Sequence, residues 1–264
     1  MKSFIRWAGS KRPIVAKLRA FWPGGAARYI EPFAGSACLF FDIEPRGAVL
    51  GDLNWELVCT MREIQADVYR VLECLDRLPT GKASYYRIRA IQPQLLSGAE
   101  VAARFLYLNR YCFNGLYRTN RDGRFNVPYG PPRSRSPIDN SVIIKASQAL
   151  ASALLVCGDF EHTIQFVRAG DFVYLDPPYV TSKRRVFSEY SPSSFCANDL
   201  KRLALSLRKI DACGACFLIT YADSPEARRL LAPWRHRRVW TRRNIAGFSG
   251  SRRGSYELMA TNIA

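Results

Sequence analysis

Short, almost continuous apolar runs alternate with helical periodicity at both ends of this chain, and the alternation stops in between. Tyr29-Ile30-Glu31, Ala48-Val49-Leu50, Leu154-Leu155-Val156-Cys157, Phe172-Val173-Tyr174-Leu175 and Phe217-Leu218-Ile219-Thr220 are too short for helices and lack the every-second-residue polarity of a half-exposed strand. Such runs, separated by helices, predict parallel strands covered on both faces, an α/β architecture. Helices are expected over Trp7 to Phe21 (with Pro13 in its first turn), after Ser36 through Phe41, over Ile164 to Arg168 and over Asp199 to Ile210.

The middle, residues 55 to 140, reads differently. Leu57, Met61, Ile64, Val68, Val71, Leu72 and Leu75 recur at helical spacing, and a second helix is expected around Val101 to Leu108. A polar stretch from Asn109 to Gly130 then reads as an exposed basic loop or hairpin, followed by the Pro/Arg/Ser-rich run Pro131 to Pro137. A loop that long inside a compact domain is usually functional. With 264 residues, the expected organisation is one α/β domain, residues 1–54 and 141–264, interrupted by a mainly helical insertion over 55–140 whose hairpin spans about 109–130.

Charge narrows the partner. Lys and Arg number 39 against 22 Asp and Glu, a net +17. So one-sided a field attracts phosphates, which favours a nucleic acid over a membrane surface, since no basic amphipathic helix with a clean apolar face is visible. No apolar run approaches bilayer-spanning length, and Met1 to Trp7 lacks the pattern of a secretory signal, so a cytoplasmic protein is expected. Of the eight cysteines, only Cys213 and Cys216 form a CxxC pair; without a second Cys or His pair it is expected to be structural, and no metal is expected.

Three motifs carry chemistry. Pro32-Phe33-Ala34-Gly35-Ser36-Ala37 is a tight glycine turn between strand and helix, which lets backbone approach a nucleotide-like ligand. Asp52 ends the next strand, where a carboxylate can accept hydrogen bonds from ribose hydroxyls. These two fit a nicotinamide cofactor and S-adenosylmethionine equally. Asp176-Pro177-Pro178-Tyr179, after the strand Phe172 to Leu175, decides between them. An exocyclic adenine amine is a poor nucleophile because its lone pair is delocalised into the ring. A carboxylate and a proline-stiffened carbonyl can accept its N–H bonds and aim the lone pair, and a tyrosine ring can stack on the base.

With these motifs the chain resembles the Dam-type (class α, D12) DNA adenine-N6 methyltransferases over nearly its whole length. Phe4 to Lys11 resembles the family's WAGGK segment, Glu31 to Ser36 its cofactor loop, and Gly51-Asp52-Leu53-Asn54 its ribose-binding strand end. Phe105 to Arg118 and Arg124 to Gly130 resemble its most specific signatures, and Gly254 to Asn262 its last strand. The resemblance implies a Rossmann-like, S-adenosylmethionine-dependent methyltransferase sheet with an inserted, mainly helical DNA-recognition domain. It implies that Trp7, Lys11, Phe33, Gly35, Asp52 and Asp176 contact S-adenosylmethionine, with Asp159 and Phe160 on its adenine side. Asp176, Pro177, Pro178 and Tyr179 would carry the chemistry. Arg6, Phe113, Asn114, Leu116, Arg118, Asn126 and Pro128 would face DNA, with Phe113 inserted beside a flipped adenine and Arg118 hinting at a GATC-like site. Arg235, Arg237, Arg238, Arg242, Arg243, Arg252 and Arg253 would meet phosphates. The expected partner is double-stranded DNA, bound by a monomer. Three other readings compete: a DNA-binding protein without turnover, a nicotinamide-dependent enzyme, and a methyltransferase acting on RNA or protein.

Overall fold

A computed structural model describes residues 1–120, 122–130, 139–179, 195–242 and 254–263. Its strands among these residues form one seven-stranded sheet. They are β1 (Tyr29–Glu31), β2 (Ala48–Asp52), β3 (Ala153–Cys157), β4 (Phe172–Leu175), β5 (Cys216–Ala222), β6 (Arg235–Arg242) and β7 (Gly254–Thr261), in the spatial order β3-β2-β1-β4-β5-β7-β6. The first five run parallel, while β7 pairs antiparallel with both β5 and β6.

The apolar runs are continuous because each strand feeds two cores. Tyr29, Ala48, Leu50, Phe172, Tyr174 and Leu218 join one, and Ile30, Val49, Val173, Leu175, Phe217 and Ile219 join the other. Adjacent residues alternate between them, as the pleat requires. The first core is closed by α1 (Val15–Arg19), α2 (Cys38–Ile43), α3 (Trp55–Asp76), α4 (Lys82–Ala90), α5 (Gly98–Tyr111) and α6 (Asn140–Leu150). The second is closed by α7 (Phe160–Ile164), α8 (Ala197–Ala212) and α9 (Pro225–Leu231). Between β2 and β3, α3 serves two neighbours. Arg62 and Gln65 hydrogen-bond to the carbonyls of Leu155 and Ala153 in β3, and the helix also packs on α5.

Two elements depart from expectation. The helix expected from Trp7 to Phe21 is confined to a 3-10 turn over Arg12–Ile14 and α1. Gly9 is left-handed (φ +78°) and Trp7 turns inward, so the chain from Ser3 to Lys11 is irregular. The helix expected over Ile164 to Arg168 instead runs Phe160–Ile164, because the Asp159 side chain accepts the Glu161 N–H and starts it earlier. Among the described residues no helix is long and apolar enough to cross a membrane. Cys213 ends up exposed after α8, and Cys216 is half-buried at the start of β5.

Strand order sets the position of the site. From β1 the chain moves outward to β2 and β3, then returns so that β4 lies on the other side of β1. The loops after β1 and β4 therefore diverge, and the crevice between them is where open α/β sheets bind ligands.

Candidate active site

The glycine turn after β1 is held from two sides. Gly35 is left-handed (φ +47°), and a Cβ there would lie 2.8 Å from Trp7 Cδ1. The indole of Trp7 thus closes on a position that only glycine fills without strain. The Gly35 N–H donates to Asp52 Oδ2 (2.8 Å), and the Asn54 N–H donates to Oδ1 (2.9 Å). Asn54 in turn caps α3 by accepting the Leu57 N–H. Burial holds the Asp52 carboxyl above its ordinary range, with the backbone N–H groups pulling the other way. A hydrogen bond of 3.0 Å between Ser36 and Ser10 hydroxyls ties the turn to the N-terminal segment.

Across the crevice, β4 ends in Asp176-Pro177-Pro178-Tyr179, with Pro177 buried and Pro178 exposed. Asp176 Oδ1 receives the Thr220 hydroxyl (2.8 Å) and the Lys11 ammonium (3.0 Å). The Tyr174 hydroxyl lies 3.1 Å from Thr220 Oγ1, which orients that donor. Both donors fall on Oδ1; among the described residues none is found on Oδ2. Lys11 is 6% exposed and also donates to the Tyr179 hydroxyl (3.1 Å) and to Glu257 Oε1 (3.4 Å). Burial opposes its charge, but Asp176, Tyr179 and Glu257 outweigh burial and raise its pKa above the ordinary lysine range. Burial, with Glu257 adding to it, raises Asp176; Lys11 and Thr220 act against the rise. Beneath them Glu31 is fully buried and accepts the Tyr29 hydroxyl (3.0 Å). Burial holds its carboxyl well above the usual range.

A third wall is aromatic. Phe33 stacks on Phe160 with centroids 5.2 Å apart, and Phe195 meets both edge-on or tilted. Arg202 from α8 lies 4.8 Å over the Phe160 ring and pairs with Asp159, Glu161 and Asp199. Asp159 therefore caps α7 and holds an arginine, beside the ring of Phe160.

The hairpin after α5 divides its residues by face. Tyr117, Phe125 and Val127 are buried, while Phe113 and Pro128 are exposed and Asn114, Leu116, Arg118 and Asn126 are partly exposed. The Phe113 N–H donates to the Pro128 carbonyl (2.9 Å), and Asn114 is left-handed (φ +57°). Arg118 Nε donates to Asn126 Oδ1 (2.8 Å), which fixes the guanidinium on the hairpin. Arg6 joins this face: its backbone exchanges two hydrogen bonds with the Asn109 side chain, and its side chain packs against Gly115. The hairpin is anchored by a buried network. Glu56 pairs with Arg104 (2.8 Å) and accepts the Tyr117 hydroxyl (3.0 Å), and the Tyr117 ring stacks on Trp7 at 5.4 Å.

The expected cofactor and catalytic residues thus converge on one crevice, with the hairpin residues on a neighbouring face. Arg235, Arg237 and Arg238 are exposed on β6, and Arg238 pairs with Asp223 and lies 4.2 Å over Tyr256. Arg243, Arg252, Arg253 and the side chain of Arg242 lie outside the described residues. Reasoning from the sequence missed Glu31, Thr220, Glu257 and Arg202 as neighbours of the site. Glu31 and Thr220 carried a signal, as polar residues within apolar strands, and Glu31 and Glu257 lie in segments that resemble the family, though neither was given a role; Arg202 carried no signal.

A family model described as D12 class N6 adenine-specific DNA methyltransferase matches residues 7–245. The chain is 31% identical over 271 residues to the Type II methyltransferase M1.LlaDCHI of Lactococcus lactis subsp. cremoris, covering 99% of this chain and 95% of the relative. It is 31% identical over 286 residues to the Type II methyltransferase M.MjaIII of Methanocaldococcus jannaschii, covering 99% of each. It is 29% identical to the retron Ec67 DNA adenine methylase of Escherichia coli over 100% of this chain and 92% of the relative. The chain belongs to the D12 class of N6 adenine-specific DNA methyltransferases and is a site-specific, adenine-specific DNA methyltransferase.

Proposed function

We propose that the enzyme methylates N6 of an adenine flipped out of duplex DNA, by direct displacement, with S-adenosylmethionine held between the loops after β1, β2 and β4. The observation that carries this reading is the placement of two carboxylates across the switch point: Asp52 beside the left-handed Gly35 turn, and Asp176 with Oδ1 occupied and, among the described residues, no donor on Oδ2. The residues suit the cofactor. Gly35 leaves room that a Cβ would fill, Asp52 can accept ribose hydroxyls, and Phe33 and Phe160 offer an apolar wall for an adenine ring beside Asp159. Trp7 packs the turn. Lys11 can meet the cofactor's carboxylate by giving up one of its present contacts.

S-adenosylmethionine supplies an electrophilic methyl on a cationic sulfonium and leaves as S-adenosylhomocysteine. The protein supplies orientation and charge. Asp176 Oδ2 and the Pro177 carbonyl accept the two N–H bonds of the target amine, which favours a tetrahedral nitrogen and frees its lone pair. Once N6 carries the methyl it sheds one proton, for which Asp176 is an adjacent acceptor. Pro178 stiffens the loop, and Tyr179 offers its ring to the base. Flipping is required because N6 of a stacked, paired adenine is out of reach.

Arg6, Phe113, Asn114, Leu116, Arg118, Asn126 and Pro128 form the DNA-reading face of the 55–140 insertion. Phe113 is 42% exposed, which suits an aromatic that fills the gap left by the flipped base. Arg118 suits bidentate contact with guanine, in keeping with a GATC-like target. Action as a monomer on cytoplasmic DNA belongs to the same reading, since one chain supplies every residue it uses. The test is transfer of labelled methyl to duplexes that differ only at a GATC site. Label confined to the GATC duplex supports the reading; equal label on both rejects the target, and label only on RNA or protein rejects the substrate.

A further inference from the structure

Glu257 lies on β7, far along the chain from the glycine turn, Asp52 and the Asp176 to Tyr179 motif, yet its carboxylate sits within the catalytic cluster. It is 4% exposed. Its Oε1 accepts the Tyr179 hydroxyl (2.8 Å) and lies 3.4 Å from Lys11 Nζ. Its Oε2 is buried with no hydrogen-bond partner among the described residues. A buried carboxylate with an unused oxygen is costly and calls for a compensating role.

Charge accounting suggests that role. Lys11 lies between two carboxylates, closer to Asp176 (3.0 Å) than to Glu257 (3.4 Å). If Asp176 were its only counter-charge, the ammonium would compete with the target amine for that carboxylate. A second carboxylate, 3.4 Å from the ammonium, relieves that competition.

We propose that Glu257 is a positioning residue for methyl transfer: it takes the Lys11 ammonium as a counter-charge and fixes the Tyr179 hydroxyl, so that Asp176 is released to the target amine. No group other than these four residues is required, and no bond is made or broken at Glu257. The inference rests on the assignment of Asp176 to the target amine.

The test is single-turnover methylation of duplex DNA by wild type, Glu257→Gln, Glu257→Asp and Asp176→Ala, with cofactor affinity and thermal unfolding measured on each. Glu257→Gln keeps the shape and the acceptor for Tyr179 but removes the charge. The expected result is a rate about 10- to 100-fold lower, the scale of a misplaced reacting group, with cofactor affinity and melting temperature close to wild type. Glu257→Asp, which keeps the charge, should recover part of the rate. A Glu257→Gln rate close to wild type, a loss that merely follows the folded fraction or cofactor affinity, or equal impairment of the Gln and Asp variants would each overturn the inference. If Asp176→Ala still transfers methyl, the underlying reading of the site fails instead.

Discussion

Removing the Glu56 carboxylate tests how the hairpin is held to the catalytic sheet. Glu56 and Arg104 have side chains 4% exposed each, paired at 2.8 Å. Arg104 also donates to the carbonyls of Ile88 (3.2 Å) and Arg89 (3.0 Å), so it joins α5 to α4. Burial pushes both groups toward their neutral forms: it raises Glu56 against the pull of Arg104 and Tyr117, and it lowers Arg104 against the pull of Glu56. Glu56→Ala leaves the guanidinium buried with two carbonyls and no counter-charge. Breaking a buried pair in this way costs about 3–5 kcal/mol. For a chain of this size each kcal/mol moves the melting temperature by about 2–4 °C, so a fall of roughly 6–20 °C is expected. Replacing both partners with apolar residues of similar volume should recover much of that loss, because both desolvation costs vanish together. Thermal unfolding of Glu56→Ala, Arg104→Met and the Glu56→Leu/Arg104→Met double variant measures this. A Glu56→Ala loss below about 1 kcal/mol, or a double variant as unstable as the sum of the singles, would show that this buried pair does not hold the hairpin.

Three further outcomes follow from the same geometry. Gly35→Ala must adopt φ +47° and push a methyl to 2.8 Å from Trp7, so S-adenosylmethionine affinity measured by calorimetry should fall about tenfold or more. Methyl transfer should be lost as pH falls, over a range above that of an ordinary aspartate, because Asp176 must be ionised and burial and Glu257 raise its pKa against Lys11 and Thr220. The sign is testable: Glu257→Gln removes a contribution that raises Asp176, so the acid limb of the pH–rate profile should move to lower pH. Arg118→Ala should cost about 1–3 kcal/mol of discrimination between cognate and altered duplexes in competition assays, and Asn126→Ala should weaken discrimination in the same direction by releasing Arg118 Nε.

Much of the sheet is legible because strands buried on both faces must be apolar throughout, so Phe172 to Leu175 and Phe217 to Thr220 stand out from any amphipathic segment. Asp52 and Asp176 are legible for a related reason: each is a carboxylate ending such a run. What escapes is set by partners distant in sequence. The edge strand β6 carries Arg235, Arg237 and Arg238, whose charge hides a strand that only pairing with β7 stabilises. The start of α7 depends on the Asp159 cap rather than on apolar spacing. Glu257 reads as one polar residue in a terminal strand; only the antiparallel register opposite Ala222 brings it to Lys11. Trp7 reads as the start of a helix but instead lies in the irregular segment before α1, closes over Gly35 and stacks on Tyr117.

Methyl transfer to adenine N6 is tested most directly by the identity of the methylated nucleoside in duplex DNA treated with wild type and with Asp176→Ala. The expected product is N6-methyladenine, with a loss of at least about 100-fold in the variant while the fold persists. Methyl on cytosine, or N6-methyladenine formed at an undiminished rate by Asp176→Ala, would contradict this reading of the site.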